Sequence, residues 1–495
     1  MSRLGFDNDK YLTTQSEHIR QRMEKFGGKL YMEFGGKLFD DYHASRVLPG
    51  FQPDSKLKML LKLKDQAEIV IAVGAGAIDD NKRRGDINIT YDMEVLRLID
   101  LFRSVGLYVG SVVITRYSGQ KSADAFIQRL ENLGIRVYKH YPIEGYPSNV
   151  QLIVSDEGYG LNDYVETERS LIVVTAPGPG SGKRAVCLSQ LYHENMRGIK
   201  AGYAKFETFP IWNIPLKHPV NLAYEAATAD LNDVNMIDPF HLEAYGKVTV
   251  NYNRDVEIFP VLKAIFEEIY GTCPYQSPTD MGVNMAGNCI FDDDAVREAS
   301  CQEIIRRYYT ALCEQKRGAQ KEGEISKLKI LMKQAGLTED DRLVAKAARE
   351  REKQTGEPAA AIELPDGRIV TGKNQELFGA ASAMMLNALK TLAGIPDEVY
   401  LLAADVIRPV QELKVRYLGS QNPRLHTDEV LVALSVSAAS DPNARMALDC
   451  LPQLRGCDAH CSVMLSPVDK DIFRRLLINM TSEPRDQDSG RIFYR

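Results

Sequence analysis

The sequence has 495 residues, of which 44% are hydrophobic and 26% charged, and this ordinary globular usage excludes a wholly disordered or fibrous chain. The net charge of −6 leaves no basic surplus to neutralise a nucleic-acid backbone or an anionic membrane, so we expect neither as a partner. A chain of this length favours two or three domains.

The N-terminus, MSRLGFDNDKYLTTQ, lacks the apolar stretch of a secretory signal. No segment approaches the roughly 18 uninterrupted apolar residues of a membrane span. The eight cysteines are spread along the chain, unlike the dense disulfide framework of a small secreted domain. We therefore expect a cytoplasmic protein with reduced thiols.

The first half of the chain alternates short β-branched apolar runs with amphipathic segments. This alternation is typical of a mostly parallel sheet covered by helices, so the predicted fold class is α/β. Each of the first two predicted helices ends at a glycine. The predicted strands are 68–73, 108–115, 135–140, 151–155, 171–175 and 199–207, and the predicted helices are 92–105, 123–133, 184–196, 220–230 and 258–270.

The second half begins with a strongly helical, charged segment from 292 to about 357. We interpret it as a connector or as the arm of a homo-oligomer, with a simple solvated helix face as the alternative. The turn at Pro365, an alanine-rich helix near 377–393 and apolar runs at 430–437 and 461–465 indicate a second α/β domain. The predicted domains are 1–165 (N-terminal α/β), 166–290 (P-loop-like region with a polar pocket), 291–357 (helical connector) and 358–495 (C-terminal α/β).

A glycine-rich turn, Ala-Pro-Gly-Pro-Gly-Ser-Gly-Lys-Arg, joins the predicted strand 171–175 to the following helix. Backbone N–H groups at such a helix start, the helix dipole and the lysine charge all attract phosphate. We expect ATP, another nucleotide or another phosphorylated ligand here; a glycine-rich turn with a solvent-facing lysine is the alternative. The predicted binding residues are Gly178, Gly180, Ser181, Gly182, Lys183 and Arg184.

This loop departs twice from the standard P-loop, because Pro177 occupies the first glycine position and Arg184 replaces the magnesium-binding hydroxyl. Magnesium would need other ligands, such as Ser181 or, after the predicted strand 151–155, Asp156 and Glu157; otherwise the ligand binds without a metal. Over residues 175–184 the loop resembles the phosphate loops of dethiobiotin synthetase-like and formate–tetrahydrofolate ligase-like enzymes.

Lys205 and Glu207 end the strand that follows the loop helix, so both are expected at the carboxyl edge of the sheet, where ligands of α/β proteins bind. Lys205 would counter charge on a transferring group, and Glu207 would hold magnesium or act as a base. Asp238 completes the predicted catalytic residues. A surface ion pair is the alternative for the first two.

Two polar segments are candidate substrate sites. The run 79–86 offers Lys82, Arg83 and Arg84 as an anion clamp, with a solvated loop as the alternative. The stretch 217–241 is rich in Asn, Asp and His within an apolar context, which indicates a pocket or a hydrogen-bonded structural network. Its predicted substrate-binding residues are His218, Asn221, Asp233 and His241.

Two other motifs are set aside. Gly74 and Gly76 begin a dinucleotide fingerprint, but Asp79 stands where its third glycine belongs, so we do not expect a Rossmann dinucleotide site. Cys457 and Cys461 flank His460, but no second cysteine pair completes a zinc site, and zinc is not expected.

Taken whole, the chain resembles a bacterial family catalogued as domain of unknown function 1846 and as an uncharacterised protein family. The resemblance rests on long strings, among them NKRRGDINITYDMEVLRLID, VVTAPGPGSGKRAVCLSQLYHE and QLRGCDAHCSVMLSPVD. The family brings no established reaction, substrate or catalytic residue, so function has to be argued from the residues.

Three hypotheses follow. The first, which we favour, is an enzyme using a nucleoside triphosphate, such as a kinase or ATP-dependent ligase, with Lys183 on the phosphates and Lys205 assisting transfer. The second is a protein that binds a phosphorylated metabolite and regulates without turnover. The third is a hydrolase or transferase whose loop only anchors a substrate phosphate. Arg184 favours the second and third; Lys205, Glu207 and the pair Asp156 and Glu157 favour the first.

Overall fold

A computed structural model of the chain describes residues 3–36, 38–39, 41–84, 88–420 and 422–486. The described residues form two compact units. The N-terminal unit contains residues 5–224 and 233–293, and the C-terminal unit contains the described parts of 1–4, 225–232 and 294–495. Within the described ranges, no helix has the length and apolarity needed to cross a membrane.

The elements of the first 293 residues alternate between strand and helix over much of their length. The strands are β1 (Leu30–Phe34), β2 (Ala67–Gly74), β3 (Tyr108–Thr115), β4 (Arg136–Lys139), β5 (Leu171–Thr175), β6 (Gly202–Phe206), β7 (Asn235–Ile237) and β8 (Val250–Tyr252). The helices are α1 (Asn8–Lys25), α2 (Tyr42–Val47), α3 (Ser55–Leu61), α4 (Ala75–Asp79), α5 (Tyr91–Ser104), α6 (Lys121–Asn132), α7 (Val150–Ile153), α8 (Lys183–Met196), α9 (Pro219–Ala227), α10 (Pro239–Tyr245), α11 (Asn253–Tyr270) and α12 (Pro278–Met281).

Six of the described strands form one parallel sheet in the order β4-β3-β2-β5-β1-β6. Every residue of β1, β2, β5 and β6 is buried, as expected when helices cover both faces of a parallel sheet. This arrangement confirms the predicted α/β fold class. The strands before and after residue 165 share this single sheet.

The sequence prediction differs from this sheet at two places. The run 151–155, predicted as a strand, lies largely in helix α7, which Asn149 caps by accepting the Leu152 N–H at 3.4 Å. Ile153 is fully buried in the core, and a run this short does not reveal its period. Strand β1 was not predicted at all, although it pairs with both β5 and β6.

The C-terminal unit is a second α/β structure, as predicted, with a mixed sheet. Its strands are β9 (Ala359–Glu363), β10 (Ile369–Lys373), β11 (Asp458–Cys461) and β12 (Asn479–Ser482), in the order β10-β9-β11-β12, with only the last pair parallel among the described strands. Its helices are α13 (Asp293–Lys316), α14 (Glu322–Ala335), α15 (Leu343–Thr355), α16 (Ala380–Ala393), α17 (Ala404–Glu412), α18 (Thr427–Ser437), α19 (Pro442–Asp449) and α20 (Pro467–Arg475).

The charged segment predicted to be helical forms α13, α14 and α15, and α15 packs on the sheet of its own unit. Val344 and Ala348 of α15 cluster with Ala361 of β9. Arg342, just before α15, is fully buried and donates to Asp458 Oδ1 at 3.2 Å and to the Asn479 carbonyl at 2.7 Å. This guanidinium therefore ties the segment to β11 and β12.

Helix α16 approaches β10 so closely that glycine is required at the contact. A Cβ on Gly372 would lie 2.1 Å from the Met384 backbone nitrogen. We expect Gly372→Ala to destabilise the C-terminal unit by about 1–3 kcal/mol, because the helix would have to shift from a packed core.

Urea unfolding followed by circular dichroism would measure this. The control is Gly323→Ala in α14, where a Cβ meets nothing within 4 Å and alanine favours the helix. Equal stability of the Gly372→Ala variant and the native chain would contradict the close approach.

Candidate functional site

The strand order places a crevice between the carboxyl ends of β2 and β5. From β2 the chain continues to β3 on one side, and from β5 it continues to β6 on the other. Such a reversal is where ligands of open α/β sheets bind. Gly74 ends β2 and the glycine-rich loop follows β5, so the predicted loop lies at this switch point.

The loop is held in one conformation by its neighbours. Gly180 and Gly182 have φ angles of 76° and 85°, in the left-handed region that favours glycine. The Thr115 hydroxyl donates to the Ser181 carbonyl at 2.9 Å, and the Ser181 hydroxyl donates to the Gly178 carbonyl at 2.9 Å. The loop is therefore anchored to the end of β3.

The loop and the first turn of α8 present unused donors. Within the described part of the chain, the backbone N–H groups of residues 180–184 have no acceptor, and Lys183 Nζ has no hydrogen-bond or ion-pair partner. The charge of Lys183 contributes to lowering the pKa of Glu33 on β1. Free N–H groups beside a cation at a helix start are what an anion needs.

Arg184, which stands in place of the P-loop hydroxyl, forms ion pairs with two carboxylates. Its Nε donates to Glu33 Oε2 at 3.1 Å, and its NH2 nitrogen donates to Asp255 Oδ1 at 2.7 Å. Tyr203 donates to the same Glu33 oxygen at 2.5 Å. The Arg184 side chain therefore bridges β1 and α11 through their carboxylates.

Lys205 and Glu207 lie together at the end of β6, as predicted. Lys205 Nζ is 3.1 Å from Glu207 Oε2 and also binds Asp255 Oδ2 and the Tyr252 hydroxyl. Lys205 is 5% exposed, so its charge is balanced inside the protein. One carboxylate, Asp255, thus separates Lys205 from Arg184.

The pKa values of the two glutamates in this network shift in opposite directions. Burial alone would raise the pKa of Glu33, but Arg184 and Lys205 outweigh it and hold that pKa at about 2. Burial raises the pKa of Glu207; Lys205 opposes the rise and Asp255 reinforces it. Burial would lower the pKa of Lys205, but Asp255 and Glu207 raise it overall. A carboxyl group with a raised pKa beside a cation is suited to general acid–base chemistry.

Lys205 and Glu207 open onto a cavity of about 370 Å³. Its walls combine aromatic and apolar surface with amide, imidazole and charged side chains, the mixture typical of small-molecule sites. Arg22 donates to the Asp280 and Gly282 carbonyls at 2.5 and 3.1 Å, which fixes it in the wall. The polar lining comprises His18, Arg22, Lys205, Glu207, Trp212, His241, Lys247, Asn251, Asp255, Thr279, Asp280, Asn284 and Asn288.

Asp156 and Glu157, our candidates for magnesium, lie away from the loop. Asp156 accepts the Tyr192 hydroxyl at 2.8 Å, and Tyr192 is nine residues along α8 from Lys183, roughly 13 Å at 1.5 Å per residue. Glu157 is exposed. Because 151–155 is not a strand, these residues do not follow a strand end; among the described residues, no group of three His, Cys, Asp or Glu side chains could hold a metal ion.

The polar stretch 217–241 contributes one residue to the cavity and several to structure. His241 lines the cavity and contacts the Ser277 hydroxyl at 2.8 Å. His218 contacts Asp293 at 2.8 Å and accepts the Val220 N–H. Three further residues have structural contacts: Asn221 bonds both backbone groups of Ile211, Asp233 pairs with Arg254 at 2.5 Å, and Asn235 donates to the Asn221 carbonyl.

Asp238, predicted to be catalytic, caps helix α10. Its Oδ1 accepts the His241 N–H at 3.0 Å, and its Oδ2 accepts the Thr279 N–H and hydroxyl at 3.1 and 2.7 Å. It is fully buried, and its two hydrogen-bond partners, His241 and Thr279, line the cavity. A cap of this kind stabilises a helix start by about 1 kcal/mol.

The three basic residues predicted as an anion clamp after β2 have different contacts. Arg84 pairs with buried Glu94, and Arg83 donates to the Asn88 carbonyl at 2.8 Å. Lys82 Nζ lies 5.2 Å from the centre of the Tyr91 ring. The last residues of the predicted clamp segment, 85–86, lie outside the described residues.

Sequence reasoning missed Glu33, Asp255 and Arg22, which complete the network and the cavity. Glu33 is the only charged residue in the apolar run Leu30–Phe34, and a lone carboxylate in such a run was a usable signal, since buried charges need partners. Asp255 and Arg22 stand in ordinary helical context, so nothing local marks them.

The fold and this edge define a parallel α/β protein with a glycine loop at the switch point and a polar cavity at the end of β6. Comparison with known proteins places the chain in a family: a model described as domain of unknown function DUF1846, N-terminal, matches residues 4–336, and its C-terminal counterpart matches 340–491. The chain belongs to this family, which confirms the predicted resemblance.

Similar proteins carry the same uncharacterised family name. The UPF0371 protein cu0538 of Corynebacterium urealyticum is 59% identical over 97% of both chains. The UPF0371 protein stu1377 of Streptococcus thermophilus is 57% identical, and a UPF0371 protein of Streptococcus pneumoniae is 56% identical, each over 98% of both chains. None of these names states a reaction or a ligand.

Arg184→Ser restores the hydroxyl of a standard P-loop, yet we expect it to destabilise the N-terminal unit by about 3–5 kcal/mol. The reason is that Glu33 and Asp255 would stay buried without their shared cation. Urea unfolding at pH 7 would measure the loss. The matched control is Arg103→Ser, an exposed arginine in the last turn of α5; an Arg184→Ser chain as stable as that control would show that the buried carboxylates do not need this arginine.

The raised pKa of Glu207 predicts a pH-dependent difference between the native chain and Glu207→Gln. The unfolded chain releases this proton near pH 4.5 and the folded chain releases it at a higher pH. The native protein should therefore lose stability relative to the variant as pH rises from 4.5 through the folded pKa. Unfolding free energies of both chains from pH 4 to 8 test this, and a constant difference would mean that the carboxyl group is not shifted.

Proposed function

We propose that this protein is an enzyme that binds a nucleotide or other phosphorylated ligand on the glycine loop and transfers a group in the cavity at Lys205 and Glu207. The observation that carries the proposal is the ion-pair chain Arg184–Asp255–Lys205. It joins the helix that starts at the loop to the cavity wall, so the two sites are positioned by one rigid set of contacts.

The spacing of the sheet supports this assignment. β5 carries the loop, β6 carries Lys205, and only β1 lies between them. With neighbouring strands about 4.8 Å apart, the two sites are separated by roughly 10 Å. A ligand of nucleotide size would span that distance, with its phosphate on the loop and its reacting end at Glu207.

The residues divide the chemistry between them. Lys183 and the N–H groups of the loop would bind the phosphate. Lys205 would stabilise negative charge that develops on the transferring group. Glu207, with its raised pKa, would give or accept a proton, and His241, which also lines the cavity, would contact the substrate.

One observation favours the alternative of a metabolite-binding or regulatory protein, or of a hydrolase or transferase that only anchors a phosphate. The side chain of Arg184 is engaged by Glu33 and Asp255, so the position supplies neither a hydroxyl for magnesium nor a free charge. A phosphorylated metabolite that binds without a metal would suit such a loop.

The deciding experiment is thermal unfolding of the native chain and of Lys183→Ala, with magnesium ATP, with ATP and EDTA, and with orthophosphate. A ligand at about 100 times its dissociation constant stabilises the folded state by about 2.7 kcal/mol. We expect magnesium ATP to stabilise the native chain and not the variant, because Lys183 supplies the full positive charge of the site.

The control is Lys121→Ala, since Lys121 is the exposed first residue of α6, the helix that follows β3 in the same sheet. It should respond to ATP as the native chain does. Stabilisation by orthophosphate alone would support the metabolite alternative, and no response to any phosphate compound would make the proposal wrong.

A further inference from the structure

Arg22, in the wall of the cavity at the end of β6, is a partly buried cation without a carboxylate partner. Its guanidinium donates to two backbone carbonyls, that of Asp280 at 2.5 Å and that of Gly282 at 3.1 Å. Among the described residues, no aspartate or glutamate forms an ion pair with it. Burial lowers the pKa of Arg22, although Tyr275 and Asp280 oppose the shift. The protein therefore balances this charge only in part.

The carboxyl group of Asp280 is bound to groups other than Arg22. Its Oδ2 accepts the Tyr245 hydroxyl at 2.8 Å and the Gln276 N–H at 2.9 Å, and its Oδ1 lies 3.8 Å from Nδ1 of His241. A guanidinium has five N–H donors, and the two backbone carbonyls use two of them. Arg22 therefore keeps donors for a ligand in the cavity.

The backbone that holds Arg22 also borders the strand that carries Lys205. Gly282 pairs with Lys205 in a parallel β-bridge, and the Val283 N–H donates to the Lys205 carbonyl at 3.1 Å. Arg22 and Lys205 both line the cavity. One backbone segment thus positions a cation with free donors beside the strand end where we place the reaction.

A second cation, Lys247, lines the same cavity from an exposed position just after α10. Its side chain has no hydrogen-bond or ion-pair partner in the part of the chain that the structure describes. Phe209, Trp212 and Met285 add apolar surface to the wall. The volume of about 370 Å³, at about 30 Å³ for each water-sized unit, holds a molecule of about a dozen non-hydrogen atoms.

We propose that the cavity binds a small organic acid, with its single carboxylate on Arg22 and Lys247 and its hydrocarbon part on the apolar wall. The inference rests on the proposed function, because it names the class of substrate on which that cavity acts. The planar guanidinium matches a carboxylate. Glu207, Asp255 and Asp280 also line the cavity, and their negative charges would oppose a dianionic phosphate more strongly than a monoanion.

The test is calorimetric titration of the full chain with benzoate and with hexanoate, each compared with its neutral amide. The native protein should bind at least one of these acids at least tenfold more tightly than the matching amide. Arg22→Gln and Lys247→Ala should each weaken that acid about tenfold, because a hydrogen bond to a charged group contributes about that much. Since Lys247 is exposed, its variant keeps the test decisive if Arg22→Gln does not fold.

The matched control is Arg20→Gln. Arg20 is an exposed arginine of the same helix α1, donates to the Lys62 carbonyl at 3.2 Å and lies outside the cavity lining. This variant should bind the acid as the native chain does.

The inference is wrong if neither acid binds, if acid and amide bind equally, or if Lys247→Ala or a folded Arg22→Gln keeps the native affinity. It is also wrong if orthophosphate binds as tightly as the acids and is weakened by the same two variants, since the cavity would then take a phosphate. Stabilisation by magnesium ATP of the native chain but not of Lys183→Ala, without acid binding, would leave the phosphate site standing and overturn only this inference. Acid binding without a response to any phosphate compound would support the acid site and overturn the proposed function.

Discussion

Asp255 pairs with two cations at the carboxyl edge of the sheet, Arg184 and Lys205. One oxygen accepts Arg184 from the start of α8, and the other accepts Lys205 from β6. A buried charge without a partner costs several kcal/mol, so the position of α11 fixes both the helix after the glycine loop and the cavity wall. Glu33 of β1 accepts a second hydrogen bond from Arg184. The geometry of the carboxyl edge depends on these few carboxylates, which come from separate parts of the sequence.

This dependence explains what could be predicted from the sequence. The strand, loop and helix at 171–196 were predictable because glycine turns and apolar runs act locally, and Lys205 and Glu207 were found because strand ends share an edge. Strand β1 was missed since LYMEF is short and its pairing partners lie about 140 and 170 residues away. The capping role of Asp238 could not be predicted, because capping and catalytic aspartates look alike in a sequence until their partners are known.

Two neighbouring cations at the carboxyl edge of the sheet have different surroundings. Arg184 pairs with the carboxylates of Glu33 and Asp255, so its charge has a structural role. Lys183, its neighbour, has no ion-pair partner in the described part of the chain. Arg184 occupies the position at which a standard P-loop has the magnesium-binding hydroxyl. Its side chain instead connects α8 to β1 and α11. Motif comparison alone would treat this arginine as a defect, whereas the contacts show a structural element.

The position of β1 in the sheet also has a consequence for synthesis. Residues 30–34 emerge early, but their two neighbours in the sheet are residues 171–175 and 202–206. At about 5–20 residues per second, on the order of ten seconds or more separate the synthesis of β1 from that of its last partner. During that interval an apolar strand has both edges open, and pairing between distant segments is slow in any case. A chaperone that shields roughly the first 50 residues of the nascent chain would therefore cover β1 during this interval.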